Sequence, residues 1–211
     1  MHIAAENTQG RLKTLAWYNQ ASVPLKITAA LVMAGLTGLL AQLRLSLPFT
    51  PVPVTGQTLA VLMAGVLLGR KWGSLSMGIY GILGLVGVPW LNGGAVGLGA
   101  TTGYLVGFVL AALFIGYMTD GNKIRSFYGL LAAMTFASLV LVYVPGVLWL
   151  GGWYGLVLHE PISVGAVLAM GVAPFISGCI LKAVLAAGAA RFILPKTLRN
   201  EGAFVPRSNS D

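Results

Sequence analysis

The sequence predicts an all-α integral membrane protein with six transmembrane helices and both termini cytoplasmic. Three observations carry that expectation. Of the 211 residues, 57% are hydrophobic and only 9% charged, against roughly 25% charged in a soluble domain. The apolar residues fall into runs close to the ~20 that a helix needs to cross a bilayer. Lys and Arg gather between alternate runs, as they do in loops kept on the cytoplasmic side.

Taken in order, residues 1–25 form a polar cytoplasmic segment. Residues 1–22 lack the apolar core and cleavage site of a secretory signal, and "RLKTLAWYNQ" has the pattern of a short amphipathic surface helix. The membrane domain covers 26–194, with spans near 27–43, 55–69, 73–88, 102–118 and 127–144. From 163 to 190 the chain is apolar for longer than one crossing needs, and Gly171 and Pro174 interrupt it. Pro lacks an amide donor and suits the first turn of a helix. The region therefore divides into an interfacial helix near 163–170 and a sixth span at 174–194. Residues 195–211 are a polar cytoplasmic tail.

Orientation follows from the loop charges. Arg11, Lys13, Lys26, Arg70, Lys71, Lys123, Arg125, Arg191, Lys196, Arg199 and Arg207 fall on one side, and Arg44 alone on the other. This bias accounts for the net charge of +8 without a nucleic-acid partner. The lone Cys179 excludes a disulfide within one chain, and His2 and His159 make no metal motif, so no metal is expected.

Lys182 is left inside the membrane. It lies eight residues into the sixth span, or ~12 Å from the outer end. A central lysine costs roughly 2.5–3.5 kcal/mol to insert, and residues of this kind face a bundle interior or a wet cavity. Snorkelling or a bond to backbone carbonyls is the structural alternative. No other span carries a charge to pair with it, so the lysine points to a polar small-molecule ligand arriving from outside. Cys179, three residues earlier, shares its helix face.

Two outer loops would form the mouth. In "LPFTPVPVTGQT" (47–58), Pro48, Pro51 and Pro53 stiffen a flap, and Thr55, Gln57 and Thr58 supply hydrogen-bonding groups. In "GVPWLNGGAVGLGATTGY" (87–104), six glycines allow close backbone approach, while Trp90, Asn92, Thr101 and Tyr104 offer aromatic and polar side chains. Neither loop reads as a phosphate cradle. On the first span, Ala30, Ala34 and Gly38 recur every four residues and let another helix approach, whether from this chain or another protein.

These stretches resemble the BioY family, the biotin-binding S components of energy-coupling-factor transporters. The resemblance covers about 26–194 and is sharpest in "PFTPVPVTGQT"; "GSLSMGIYGILGLVGVPW", "GATTGYLVGF" and "GVAPFISGCILKAVLAA" support it. It implies a membrane subunit that captures biotin from the outer side for uptake, with no cofactor of its own. Energy would come from a separate ATPase pair joined to a membrane scaffold subunit. Loops and resemblance together nominate Lys182, Cys179, Gln57, Asn92, Tyr104, Trp90 and Thr101 for substrate binding. The resemblance turns Ala30, Ala34 and Gly38 towards the scaffold. Four positions depart from the family pattern: Cys179 stands where aspartate is usual, Ser177 where proline is, and Ala100 and Thr102 where the proline and first glycine of the third-loop element are.

An enzyme is not expected, because the spans hold no paired carboxylates, no His and no G-x-S-x-G elbow. A G-x-x-x-x-G-K-[ST] loop is also missing, so ATP hydrolysis falls to a partner. The alternative left open is a self-sufficient carrier for biotin or another small vitamin-like solute.

Overall fold

The computed structural model describes residues 21–91, 94–120, 123–124 and 126–193. The expected N-terminal surface helix and the polar tail lie outside them.

Helix α1, Val23–Gln42, carries Pro24 in its first turn, where no amide partner is needed. Its buried stripe runs through Ala30, Ala34, Thr37 and Ala41, while Leu31, Val32, Leu36 and Leu39 face outward. Apolar residues all round mark a helix with no watery side. Thr37 keeps its hydroxyl satisfied on the Met33 carbonyl, 2.8 Å away. A two-residue ribbon follows, pairing β1 (Arg44–Leu45) with β2 (Val54–Thr55) in antiparallel register.

The second and third expected spans are one helical element, α2, Gln57–Leu85, reversed at Gly69. Gly69 has φ 71° and ψ −177°, a conformation open only to glycine. The halves fold back on each other: a Cβ on Gly73 would lie 2.7 Å from the Ala64 carbonyl. Gln57 likewise reaches the Tyr80 hydroxyl, 23 residues on, a separation of ~35 Å along a straight helix. Asp120 closes the turn by accepting from the Arg70 amide at 3.1 Å.

Helix α3 is Thr102–Thr119. Its glycines admit neighbours at backbone distance. A Cβ on Gly116 would collide with the Arg70 backbone, and one on Gly107 would lie 2.6 Å from Val142 Cα. The next helix was expected to end near residue 144, ahead of Pro145, but it continues. Helix α4 (Phe127–Phe136) passes through a π-helical segment, Ala137–Val142, into α5 (Tyr143–Leu156). The physical reason is Pro145, which cannot donate to the carbonyl four residues back and whose ring crowds it. The wider π turn just before it makes room and keeps the helix running.

The final apolar region breaks where Gly171 and Pro174 predict. Helix α6, Val164–Gly171, gives way to a 3-10 turn at Ala173–Phe175 and then to α7, Ile176–Ile193. Ala183, Ala186, Ala187 and Ala190 are fully buried and let α7 lie close to α4.

Among the described residues, four stretches are long and apolar enough to cross a membrane: Val23–Gln42, Thr102–Thr119, Phe127–Leu156 and Val164–Ile193. The halves of α2 each fall short of the roughly 20 residues a crossing helix uses, so the structure supports four such helices where the sequence predicts six.

Gly69→Ala tests the reversal. The substituted Cβ would sit 2.8 Å from the Asp120 carboxylate in a backbone region closed to alanine. Thermal denaturation in detergent should report a loss of about 1–3 kcal/mol, while Gly78→Ala, which meets no atom within 4 Å, should be neutral or stabilising.

Candidate functional site

A cavity of about 230 Å³ opens at the end of the bundle where the first loop, the 94–101 loop and the start of α7 converge. One wall is the first loop, Pro51–Thr55, with Gln57 and Thr58 at the head of α2. The facing wall is the loop from Ala95 to Thr102. Tyr104, Leu105 and Phe108 of α3 form the back, and Val142, Tyr143, Phe175 and Lys182 close the inner end.

The first loop is held from both sides. The β1–β2 ribbon fixes its ends, and Thr50 Oγ1 donates to the Met170 carbonyl of α6 at 2.7 Å. Pro51 and Pro53 add no amide donors that the cavity would leave unpaired. Thr55 Oγ1 donates to Gln57 Oε1 at 2.6 Å, and Gln57 Nε2 donates to the Tyr80 hydroxyl. Tyr80 Oη reaches the Trp90 carbonyl at 3.4 Å, and Trp90 Nε1 donates back to the Tyr80 carbonyl at 3.1 Å. The amide of Gln57 is thereby locked in one orientation beside the cavity.

At the inner end the aromatics form a column. Tyr104 and Tyr143 meet edge to face at 5.9 Å, and Tyr143 lies nearly parallel to Phe175 at 6.4 Å. The Tyr104 hydroxyl donates to the Gly171 carbonyl at 3.0 Å, anchoring α3 to α6. Tyr143 Oη and Cys179 Sγ are hydrogen-bonded at 2.8 Å, with either group able to donate. Lys182 is half-buried beside them; among the described residues it is the one cation lining the cavity, and no carboxylate lines it. The cavity thus offers an aromatic slot ending in a cation, with fixed hydroxyl and amide groups on its wall.

Of the residues the sequence nominates, Lys182, Gln57, Thr101 and Tyr104 come together here. Cys179 does not line the cavity; it is buried behind Tyr143. Trp90 is turned away too, tilted against the Tyr80 ring at 5.5 Å with its own ring against Gly38 of α1. Its indole closes the seam between α1 and α2. Asn92 lies outside the described residues. On the small-residue face of α1, Ala30 and Ala34 are fully buried by this chain alone, and a Cβ on Gly38 would meet Trp90 at 2.9 Å. Of the two readings of that small-residue stripe, close approach by a helix of the same chain is the one observed.

Sequence reasoning missed Tyr143, Phe175, Phe108 and Tyr80. Phe175, Cys179 and Lys182 are spaced i, i+4, i+7, a face that could have been read. Tyr143 offered no local signal, because it follows the π segment that sets its direction.

The BioY family model matches residues 14–199. The chain is 47% identical over 139 residues to a "Probable biotin transporter BioY" of Methanothermobacter thermautotrophicus, covering 64% of this chain and 88% of that protein. It is 34% identical over 160 residues to the "Biotin transporter BioY" of Rhizobium etli, covering 71% and 82%. Among solved structures, an "S-component for biotin from an ECF-type ABC transporter" superposes with a TM-score of 0.70 at 27% identity, covering 81% of this chain and 93% of the other.

The Gln57–Tyr80 bond is open to a double-mutant cycle. Tyr80→Phe leaves the buried Gln57 amide without its acceptor and should cost about 1–3 kcal/mol of stability. Combined with Gln57→Leu, the loss should be smaller than the sum of the two single changes, read by thermal denaturation; strict additivity would show that the two groups do not interact.

Proposed function

The chain belongs to the BioY family, and from that premise we infer that the cavity described above is where it captures biotin. Its role is that of an S component, the substrate-binding membrane subunit of an energy-coupling-factor transporter. The observation that carries the placement is the match in chemistry between cavity and ligand. Biotin is a neutral fused ring with a ureido group at one end and a carboxylate on a flexible chain at the other. The cavity sets an aromatic slot against a single cation with no competing carboxylate.

In this reading Lys182 makes a charge-assisted bond to a polar end of the ligand. Tyr104, Tyr143, Phe108 and Phe175 enclose the apolar ring. Gln57, held by Thr55 and Tyr80, and Thr101 present fixed hydrogen-bonding groups. Cys179 acts through Tyr143, whose hydroxyl it orients.

The proposed membrane placement has six crossings, the two halves of α2 each counted as one, with both termini cytoplasmic. Arg70, Lys71 and Lys123 then lie at the inner end and Arg44 beside the cavity mouth, in keeping with the loop-charge rule. Transport requires a scaffold subunit and an ATPase pair, because this chain holds no phosphate-binding loop.

Equilibrium binding of biotin to the detergent-purified chain tests the reading. One-to-one saturable binding is expected, weakened by about ten- to a hundredfold in Lys182→Ala, as for loss of a charged hydrogen bond. A folded parent that binds no biotin would overturn it. Biotin uptake into sealed vesicles by this chain alone would overturn the need for an energising module.

A further inference from the structure

The outer wall of the cavity is a loop with little holding it. Among the described residues, two hydrogen bonds tie 94–101 to other helices: the Gly97 amide donates to the Gly84 carbonyl of α2 at 3.0 Å, and Trp149 Nε1 of α5 donates to the Gly99 carbonyl at 2.8 Å. The remaining bonds are local. The Gly99 amide donates to Thr102 Oγ1, and the Ala95 amide to the Leu91 carbonyl. Val96 and Leu98 are largely exposed on the outer side even though both line the cavity.

The indole reaches that carbonyl because α3 lets it. Gly103 begins α3 directly beneath Trp149, and a Cβ there would collide with Trp149 Cβ and the Pro145 carbonyl. Trp149 is also braced from the other side by Trp153, ring centre to ring centre 6.4 Å. Its aromatic face borders a separate apolar groove with Leu148, Trp153 and Leu156, while its one polar atom points inward at the loop. The residue joins a rigid helix to a thinly held wall by a single directional bond.

We propose that Trp149 is a positioning residue for the ligand: its indole N–H holds the 94–101 loop against the cavity and so sets how fast bound biotin leaves. The inference rests on the biotin reading above for its ligand but not for its tether. Trp149 does not line the cavity, so its effect falls on retention, which needs the wall closed, and little on encounter.

Trp149→Phe keeps an aromatic ring in the groove and removes the donor; Trp153→Phe alters the same groove and leaves the bond to Gly99. Two measurements on the purified full chain decide. Hydrogen exchange without ligand should quicken at the amides of 94–101 by about three- to tenfold in Trp149→Phe and not in Trp153→Phe. Biotin dissociation should quicken by about the same factor, with association and melting temperature close to the parent's. Unchanged exchange in Trp149→Phe overturns the tether, and faster exchange with unchanged release overturns the positioning role. Equal effects of the two variants would reduce Trp149 to groove packing and overturn the proposal as well. A parent that binds no biotin refutes the functional reading instead, and the exchange result still decides the tether.

Discussion

Where α3 meets its neighbours, backbone lies against backbone. Gly116 touches the turn at Arg70, Gly107 touches the π segment at Val142, and Gly103 lies under Trp149. In a lipid surround, helices gain nothing by hiding apolar side chains from one another, so close packing and hydrogen bonding hold them together. That constraint explains why α3 carries glycine wherever another element crosses it. It also fixes the site. The contact at Gly107 seats the π segment, and with it Val142 and Tyr143. The contact at Gly103 brings α5 within reach of the loop that walls the cavity. The contact at Gly116 seats the Gly69 turn.

The cavity follows from that scaffold. The first loop, the 94–101 loop and the end of α6 converge over the end of α3 and are tied down by side-chain hydrogen bonds: Thr50 to Met170, Tyr104 to Gly171, Trp149 to Gly99. The polar atoms involved find partners before any ligand arrives. Gln57, Tyr80 and Trp90 hold one another in the same way. Lys182 differs in that no carboxylate shares its cavity, which keeps its charge available to an arriving acceptor. A binding site whose wall groups are already oriented loses less side-chain freedom on capture.

Much of this was legible in the sequence, because the strongest signals were chemical rather than geometric. A lysine inside an apolar run, a proline-stiffened loop and a break at Gly171 and Pro174 all stand out in the sequence; the break falls where it was expected, and the lysine and the loop come to one cavity. The misreadings share a different cause. The fifth span was ended near residue 144, but a π turn accommodates the hydrogen bond that Pro145 cannot make and the helix runs on to Leu156. Gly69 marked the boundary between the second and third spans; what the sequence did not show is that the chain reverses there within one residue and keeps the halves in contact. Cys179 and Trp90 were assigned to the site on helix-face and loop position, and neither lines it: Cys179 sits behind Tyr143, and Trp90 packs on Tyr80, which holds the lining residue Gln57. Ala30, Ala34 and Gly38 were read correctly as a close-approach face, yet spacing alone could not say that the approaching group is this chain's own Trp90 and α2.

The enclosure of Cys179 has a practical side. It is the only cysteine in the chain, 2% exposed and held by Tyr143. A reporter cysteine placed on either loop, at Val96 or Phe49 for example, would therefore be the sole accessible thiol without any background substitution. Spin labels or fluorophores could then follow the two walls of the cavity in a protein whose inner end is left as nature built it.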